Sequence, residues 1–478
     1  YKRQGNYPAV REYARKAAAF VEETEETRVF RRDMLLAIAY AARQIGFAEE
    51  AASCYLAASE LAADIPERVA LFGSYLLALH GTMISREKLF AEHCRCEELL
   101  FAIRPLEPCP RKEHQKIRIG YLSPDFRQHV MFPFIYGLFA HFDHAGFTVY
   151  AYDLSGQTDG FTDALRERAD IWRDVGGITC EEIARRIQAD EIDILVDLAG
   201  HSAGGGLPVL AYRPAPVQVS GIGYVNTTGL SCVDYFLTDD IVDPLENQGK
   251  FLTEEPIYLT SQFLYTARSD VPLPSAAPCM QTGYTQFGVF NHWYKVTDEM
   301  LFLWREIMES VPKSRLLFKS QELRSPAMQE EAFRRMAKAR LDLGRVELEP
   351  ATSDYMERYR SIDIALDTYP YPGGGTTCDA LYMGVPVVTR YGRRRSSRFG
   401  LSLLQNVGLK ELAAPDGRAY VEKAVALAQD KELLTELHRT LRMRLAASPV
   451  MQAGAYMTEL ERFYRLAWEQ KREEMRRI

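Results

Sequence analysis

No uninterrupted apolar run in the 478 residues approaches the roughly 18 that a membrane-spanning helix needs, so no membrane association is expected. The start, Tyr1-Lys2-Arg3-Gln4-Gly5, lacks a secretory apolar core. The first residue is not Met, which leaves a preceding segment open. Cysteine is sparse: 8 residues over this length are too few for a disulfide scaffold and fit the reduced thiols of a cytoplasmic protein. Positive charge is not in excess. With 58 Lys+Arg against 65 Asp+Glu, the formal charge of −7 argues against a chain built to neutralise a nucleic-acid backbone, though it leaves room for local basic patches. The metal-like cluster His93-Cys94-Arg95-Cys96 has no second Cys/His pair at zinc spacing, so no metal is expected. No Gly-x-Ser-x-Gly elbow occurs. What is present, 47% hydrophobic and 26% charged residues, is the mixture of folded domains, in a length of about three units at roughly 150 residues each.

Residues 1–105 are poor in Pro and Gly, with apolar positions at helical spacing, and read as an all-α segment. Ala51, Tyr55 and Ala58 carry the small-aromatic-small pattern of a tetratricopeptide repeat. Shifting by 34 residues lands on Ala17, Val21 and Thr24, or on Ser85, Leu89 and Glu92, so the pattern is clear once and worn on either side. A repeat segment and a plain helical hairpin both fit. The proline cluster Arg104 to Pro110 ends this region. Beyond it, short apolar runs (117–122, 149–154, 192–198, 217–222, 287–290, 316–319, 364–367 and 385–389) alternate with helical segments (180–190, 299–310, 327–340). That alternation predicts parallel sheets flanked by helices, with ligands at the carboxyl ends of strands. The Pro-rich stretch 271–278 divides the region into lobes over 114–278 and 284–450, and an amphipathic helix over 451–478 is expected to pack back on the body through Tyr456, Leu460, Phe463, Ala467 and Trp468.

Chemistry-bearing residues cluster after strands. In Asp367-Thr368-Tyr369-Pro370-Tyr371-Pro372-Gly373-Gly374-Gly375-Thr376-Thr377-Cys378-Asp379, a strand runs into glycines and then a helix, where free amides suit phosphate oxygens. Thr376 and Thr377 can add hydroxyl donors, and Asp379 can accept from a ribose hydroxyl; a purely structural turn with Asp379 serving the helix dipole also fits. The loop is neither a P-loop nor a dinucleotide fingerprint. In Phe290-Asn291-His292-Trp293-Tyr294-Lys295-Val296-Thr297, Thr297 reads as a helix N-cap. Lys295 is placed at a strand end, either neutralising a diphosphate leaving group or lying idle at the surface. His129, after Ser123-Pro124-Asp125, and His201, after Leu198-Ala199-Gly200, end strands of the first lobe and suit proton transfer or sugar binding; each alone also suits a structural role. Thr238-Asp239-Asp240-Ile241-Val242-Asp243 reads as a turn and cap.

In order along the chain, the runs 120–126, 213–218, 223–230, 233–235, 367–371 and 378–389, with Ser397-Arg398 and Ser402-Leu403-Leu404, resemble the O-GlcNAc transferase and Spindly family of nucleotide-sugar-dependent protein glycosyltransferases, from about Lys116 to Trp468. The resemblance implies a GT-B architecture: two Rossmann-like lobes behind a repeat segment, nucleotide held by the second lobe, acceptor peptide across the cleft. It places the diphosphate-binding lysine on Lys295, the phosphate loop on Gly374, Gly375, Thr376 and Thr377, and the ribose carboxylate on Asp379. Base contacts fall on Tyr355 and Arg358, with Tyr355 stacking. Asn291 and His292 fall beside sugar or phosphate, His292 standing where the family usually carries Asn or Gln. His129 falls on an active-site histidine and His201 on a loop near the sugar. The loop Arg390 to Arg398 reads equally as a contact to phosphate or an acidic acceptor and as a solvated basic loop.

The expected activity is inverting transfer of a sugar, foremost N-acetylglucosamine from UDP-GlcNAc, to Ser or Thr of an acceptor protein such as flagellin, with no cofactor beyond the nucleotide-sugar co-substrate. The same fold using GDP-fucose or UDP-glucose is the alternative, and a non-catalytic repeat scaffold the second.

Overall fold

The structure, a computed structural model, describes residues 4–22, 24–247, 249–268 and 271–477. Residues 1–3, which open the amino-terminal stretch read above, lie outside them. By contact the chain forms two compact units, one of residues 1–62, 77–84 and 267–448, the other of residues 63–76, 85–266 and 449–478.

The second of these is built on a seven-stranded sheet. Its strands are β1 (Ile117–Ser123), β2 (Phe147–Asp153), β3 (Ile171–Asp174), β4 (Ile194–Asp197), β5 (Val217–Ser220), β6 (Tyr235–Thr238) and β7 (Glu255–Tyr258), in the order β3-β2-β1-β4-β5-β6-β7. Neighbouring strands are parallel, for example Ile119 opposite Val149 and Ile194. The core joins Ile119, Tyr121, Val149, Val196 and Val219 to Tyr456, Leu460, Tyr464 and Ala467 of the helix Ala453–Arg477, with Phe463 and Trp468 packed against it. The expected carboxyl-terminal helix therefore closes one face of this sheet.

The other unit is built on a six-stranded parallel sheet of β8 (Thr285–Val289), β9 (Ser314–Ser320), β10 (Val346–Pro350), β11 (Ile364–Leu366), β12 (Val387–Arg390) and β13 (Ala413–Ala414), ordered β10-β9-β8-β11-β12-β13. Fully buried central strands with helical crossovers make both units open α/β sheets.

The helices of the first hundred residues do not form a unit of their own. They are α1 (Tyr7–Ala19), α2 (Arg28–Ile45), α3 (Ala48–Glu60), α4 (Ile65–Leu79) and α5 (Arg86–Cys94). Ala51, Tyr55 and Ala58 are buried on α3, as the repeat pattern requires. Val21 and Thr24, the shifted positions, lie outside any helix. Polar bonds explain how the helices are shared out. The α2 carboxyl end gives its Ile45 carbonyl to Trp293 Nε1 and to Arg335 Nη1, both 2.9 Å, which ties it to the six-stranded unit. Gly46 ends α2 at φ +95°, and a Cβ there would lie 2.5 Å from Arg335 Nη1, so both conformation and space call for glycine. His93 of α5 instead bonds Tyr224 of the seven-stranded unit (2.9 Å).

Candidate active site

In the six-stranded unit, β8 and β11 are neighbours and their carboxyl ends bring the two predicted segments together. After β8 the chain passes Phe290 and Asn291, makes a 3₁₀ turn over Trp293–Lys295, and enters the helix Asp298–Ser310 with Thr297 as N-cap, its Oγ1 accepting from Met300 N. After β11 it passes Asp367 and reaches the helix Gly375–Tyr382.

Asp367 organises the junction. Its buried carboxylate accepts from Thr368 N, Gly373 N and Asn291 Nδ2 on Oδ1, each at 2.8 Å, and from Thr389 Oγ1 on Oδ2, also 2.8 Å. Burial raises its pKa, and these donors hold it down in part. Asn291 also donates to Thr368 Oγ1 (2.7 Å), while its Oδ1 accepts from Thr376 Oγ1 (2.5 Å). A Cβ on Gly373 would fall 2.3 Å from Thr376 Oγ1 and 3.0 Å from Asn291 Oδ1, whereas one on Gly374 would meet open space. Gly373 thus permits the close packing, and Gly374 leaves the approach to the helix amides clear for a ligand.

Lys295 lies beside this loop. Its Nζ donates to the Pro372 carbonyl (2.9 Å) and stands 3.8 Å from the ring centre of Tyr371. Burial lowers its pKa to about 8, with Asp367 and Glu322 opposing that shift and Arg43 of α2 adding to it. At neutral pH it is a desolvated, mostly protonated cation next to free backbone amides, an arrangement that can take up negative charge on a leaving phosphate.

Several predicted residues have other engagements. Asp379 accepts from the Tyr355 hydroxyl (2.8 Å). The ring stacked in this region is Tyr359, on Phe290 at 4.1 Å, and its hydroxyl donates to the Thr376 carbonyl. Arg358 is neutralised by Glu349 (2.8 Å) and Glu347 (3.2 Å), so its guanidinium is already satisfied by the β10 edge. His292 stacks on Tyr294 and pairs through Nδ1 with Glu322 Oε1 (2.9 Å). The Arg390–Arg398 loop is not a solvated basic loop throughout: Arg393 is exposed, but Arg394 and Arg395 are buried, Arg394 near the Leu79 and His80 carbonyls ending α4, and Arg390 is paired with Glu299. Sequence reasoning did not single out Asp367, Gly373, Tyr359, Tyr371 and Arg43 as site residues. Asp367, Tyr371 and Gly373 lie inside the quoted motif. Arg43 comes from a remote helix with no local signal.

The histidines belong to the seven-stranded unit. His129 is half-buried, with Nδ1 3.3 Å from Asp125 Oδ1 and 3.4 Å from Met131 N. Burial and Arg127 lower its pKa, and burial raises Asp125 to about 6. The Met131 amide donates to Nδ1, and the Asp125 carboxyl lies beside the ring. His201 differs. It is buried, donates from Nε2 to the Thr228 carbonyl (2.7 Å), has Nδ1 unpartnered, and is held neutral by burial, its pKa near 3. Thr227 and Thr228 are in turn bonded to the buried Glu254 carboxylate. That geometry ties His201 to the 226–229 loop and leaves Nδ1 without a partner among the described residues. Asp239 caps its own turn by accepting from Ile241 N and Val242 N, as the sequence indicates.

Comparison with known proteins agrees with this arrangement. The profile described as Glycosyl transferase family 41 matches residues 104–272 and 259–460. An Arabidopsis thaliana protein named Probable UDP-N-acetylglucosamine-peptide N-acetylglucosaminyltransferase SPINDLY is 39% identical over 360 residues, 74% of this chain and 39% of that one. The Arabidopsis thaliana protein with the same enzyme name and the designation SEC is 29% identical over 405 residues, 80% of this chain and 41% of that one. The chain spans about two fifths of the length of the curated relatives it matches. Among solved structures, a lysine-to-methionine mutant of Thermobaculum terrenum O-GlcNAc transferase superposes with a TM-score of 0.86 at 29% identity, over 98% of this chain and 88% of that one. On these grounds the chain belongs to glycosyl transferase family 41.

Proposed function

We propose that this chain is a protein O-glycosyltransferase that moves a sugar from a nucleoside-diphosphate donor to Ser or Thr hydroxyls of an acceptor polypeptide, with inversion at the anomeric carbon. The observation that carries the reading is the desolvated Lys295 ammonium held beside the Gly373–Thr377 turn at the opening of a helix. In the reaction, the acceptor oxygen bonds to the anomeric carbon as the bond from that carbon to the β-phosphate oxygen breaks, and the nucleoside diphosphate leaves with the electron pair. Lys295, the helix amides and the Thr376 hydroxyl take up the developing charge. The acceptor proton goes to His129 or to a donor phosphate oxygen. Lys295 and the amides supply the charge acceptance from protein groups, and the co-substrate is the only small molecule invoked.

The printed names of the relatives favour UDP-GlcNAc as donor. GDP-fucose and UDP-glucose are the alternative donors on the same fold. The acceptor is a protein of the host cytoplasm, with flagellin the first to try. Nucleotide release measured across UDP-GlcNAc, UDP-glucose and GDP-fucose separates the donors. Lys295→Ala should abolish release with the fold retained; near-normal turnover in that variant would refute the assignment, and failure to bind any nucleotide would favour a scaffold.

A further inference from the structure

A cavity of about 500 Å³ opens in the six-stranded unit between the ends of α1 and α2 and the turn that carries Lys295. The loop Gly373–Thr377 does not line it, so it is separate from the surface that would receive the diphosphate. Its volume falls in the range of about 300–1,000 Å³ typical of organic ligand sites, larger than an ion needs.

The wall chemistry is one-sided. Arg43 stacks 4.6 Å over the Tyr294 ring; burial works against its charge, but the phenols of Tyr294, Tyr55 and Tyr371, with a hydrogen bond to Tyr294, outweigh it and leave the guanidinium charged. Arg324 is exposed at the rim and donates only to the Ala351 carbonyl, 3.2 Å away. Tyr7 keeps its proton, its pKa pushed up to about 12 by burial and by its hydrogen bond to Tyr40. Glu322, the acidic lining residue, is occupied by His292 Nδ1, by Ser320 Oγ and by Trp293 N. The cavity therefore presents two cations to a guest, with its one carboxylate already bonded. It fits a carboxylate, which accepts from guanidinium in paired geometry.

We propose that this cavity is a subsite for an acidic side chain of the acceptor polypeptide, with Arg43 and Arg324 as its cationic wall. Tyr294 precedes Lys295 in the chain, and Arg43 is close enough to act on the Lys295 charge, so an acid anchored here belongs to a residue a few positions from the hydroxyl that receives the sugar. The polypeptide class rests on the proposed function; the carboxylate preference rests on the cavity alone.

The test is fluorescence anisotropy of a labelled Ser/Thr peptide carrying Glu on both sides of the hydroxyl, and of its Gln counterpart, bound to the full chain in the presence of UDP. The Glu peptide should bind about tenfold more tightly, the scale of one charge-assisted contact, and added salt should erode the difference. Arg324→Gln, a change at an exposed side chain, should cut the preference severalfold, and Arg43→Gln, checked for folding by circular dichroism, should remove most of it. Arg418→Gln, an exposed residue paired with Glu422, should leave it intact. Equal binding of the two peptides, or a preference that survives in both the Arg324 and Arg43 variants, would overturn the proposal. So would displacement by free glutamate as effective as by the peptide, which would assign the cavity to a small metabolite. If the charge preference is found while no sugar is transferred from any donor, the proposed function fails and this subsite stands.

Discussion

Replacing Lys295 by Met, an unbranched apolar side chain of similar length, should stabilise the protein while abolishing its chemistry. Burial lowers the Lys295 pKa from 10.5 to about 8. At about 1.4 kcal/mol per pH unit, carrying that proton at neutral pH costs the folded state on the order of 3 kcal/mol. Met forfeits the bond to the Pro372 carbonyl, a loss of about 1 kcal/mol, so the expected net gain is about 2 kcal/mol. The pH dependence follows from the direction of the shift. Below about pH 8 both folded and unfolded wild-type chains hold the proton and the cost is constant. Between about 8 and 10.5 the folded chain releases it first, the wild type recovers stability, and the advantage of the variant fades. Urea denaturation at about pH 7 and about pH 10, with transfer activity measured in parallel, reads both effects. A variant less stable than wild type at neutral pH would refute the description of Lys295 as a desolvated cation held for function.

The same lysine should impose an alkaline limb on donor kcat/KM in the free enzyme, falling above about pH 8; Lys295→Arg, which keeps its charge, should lose that limb, and an unchanged profile would count against the assignment. Asp367→Asn removes the buried negative charge that favours the Lys295 ammonium and part of the loop's anchoring, so the limb should move to lower pH and donor KM should rise at least about tenfold; a rise in KM with the limb unmoved would leave Asp367 a purely mechanical role. Gly46→Ala should cost about 1–2 kcal/mol through its φ of +95° and its collision with Arg335, and should slow transfer by disturbing the Ile45–Trp293 contact, measurable by thermal denaturation and turnover. His201→Asn should lower stability and leave the pH profile where it was, because that imidazole is neutral throughout the working range; a displaced acid limb would restore it to proton transfer.

The strands legible in the sequence are those of the sheet interiors, except β6. Residues 119–122, 194–196 and 287–289 are buried and read as short runs free of charged residues. The edge strands β3, β7, β10 and β13 gave no such signal: β3 and β10 hold only partly buried or exposed residues, and β13 is two residues long. The Gly-rich turn, the Thr297 cap and the approach of Lys295 to the loop were legible because each follows a strand and precedes a helix. The partners of Arg358, Asp379 and His292 were not, since each is satisfied by a residue from a different element: Glu349, Tyr355 and Glu322. The division of the amino-terminal helices was hidden for the same reason. It depends on Ile45, Trp293 and Arg335 meeting across long sequence separations.

The most direct measurement is mass spectrometry of acceptor proteins from the host incubated with the purified chain and UDP-GlcNAc, beside parallel incubations with UDP-glucose and GDP-fucose. The account predicts a sugar increment on Ser or Thr residues from one of these donors, absent with Lys295→Met. It is contradicted if no donor yields modified Ser or Thr in the presence of folded, nucleotide-binding wild-type protein, or if the increment appears unchanged with the Lys295 variant.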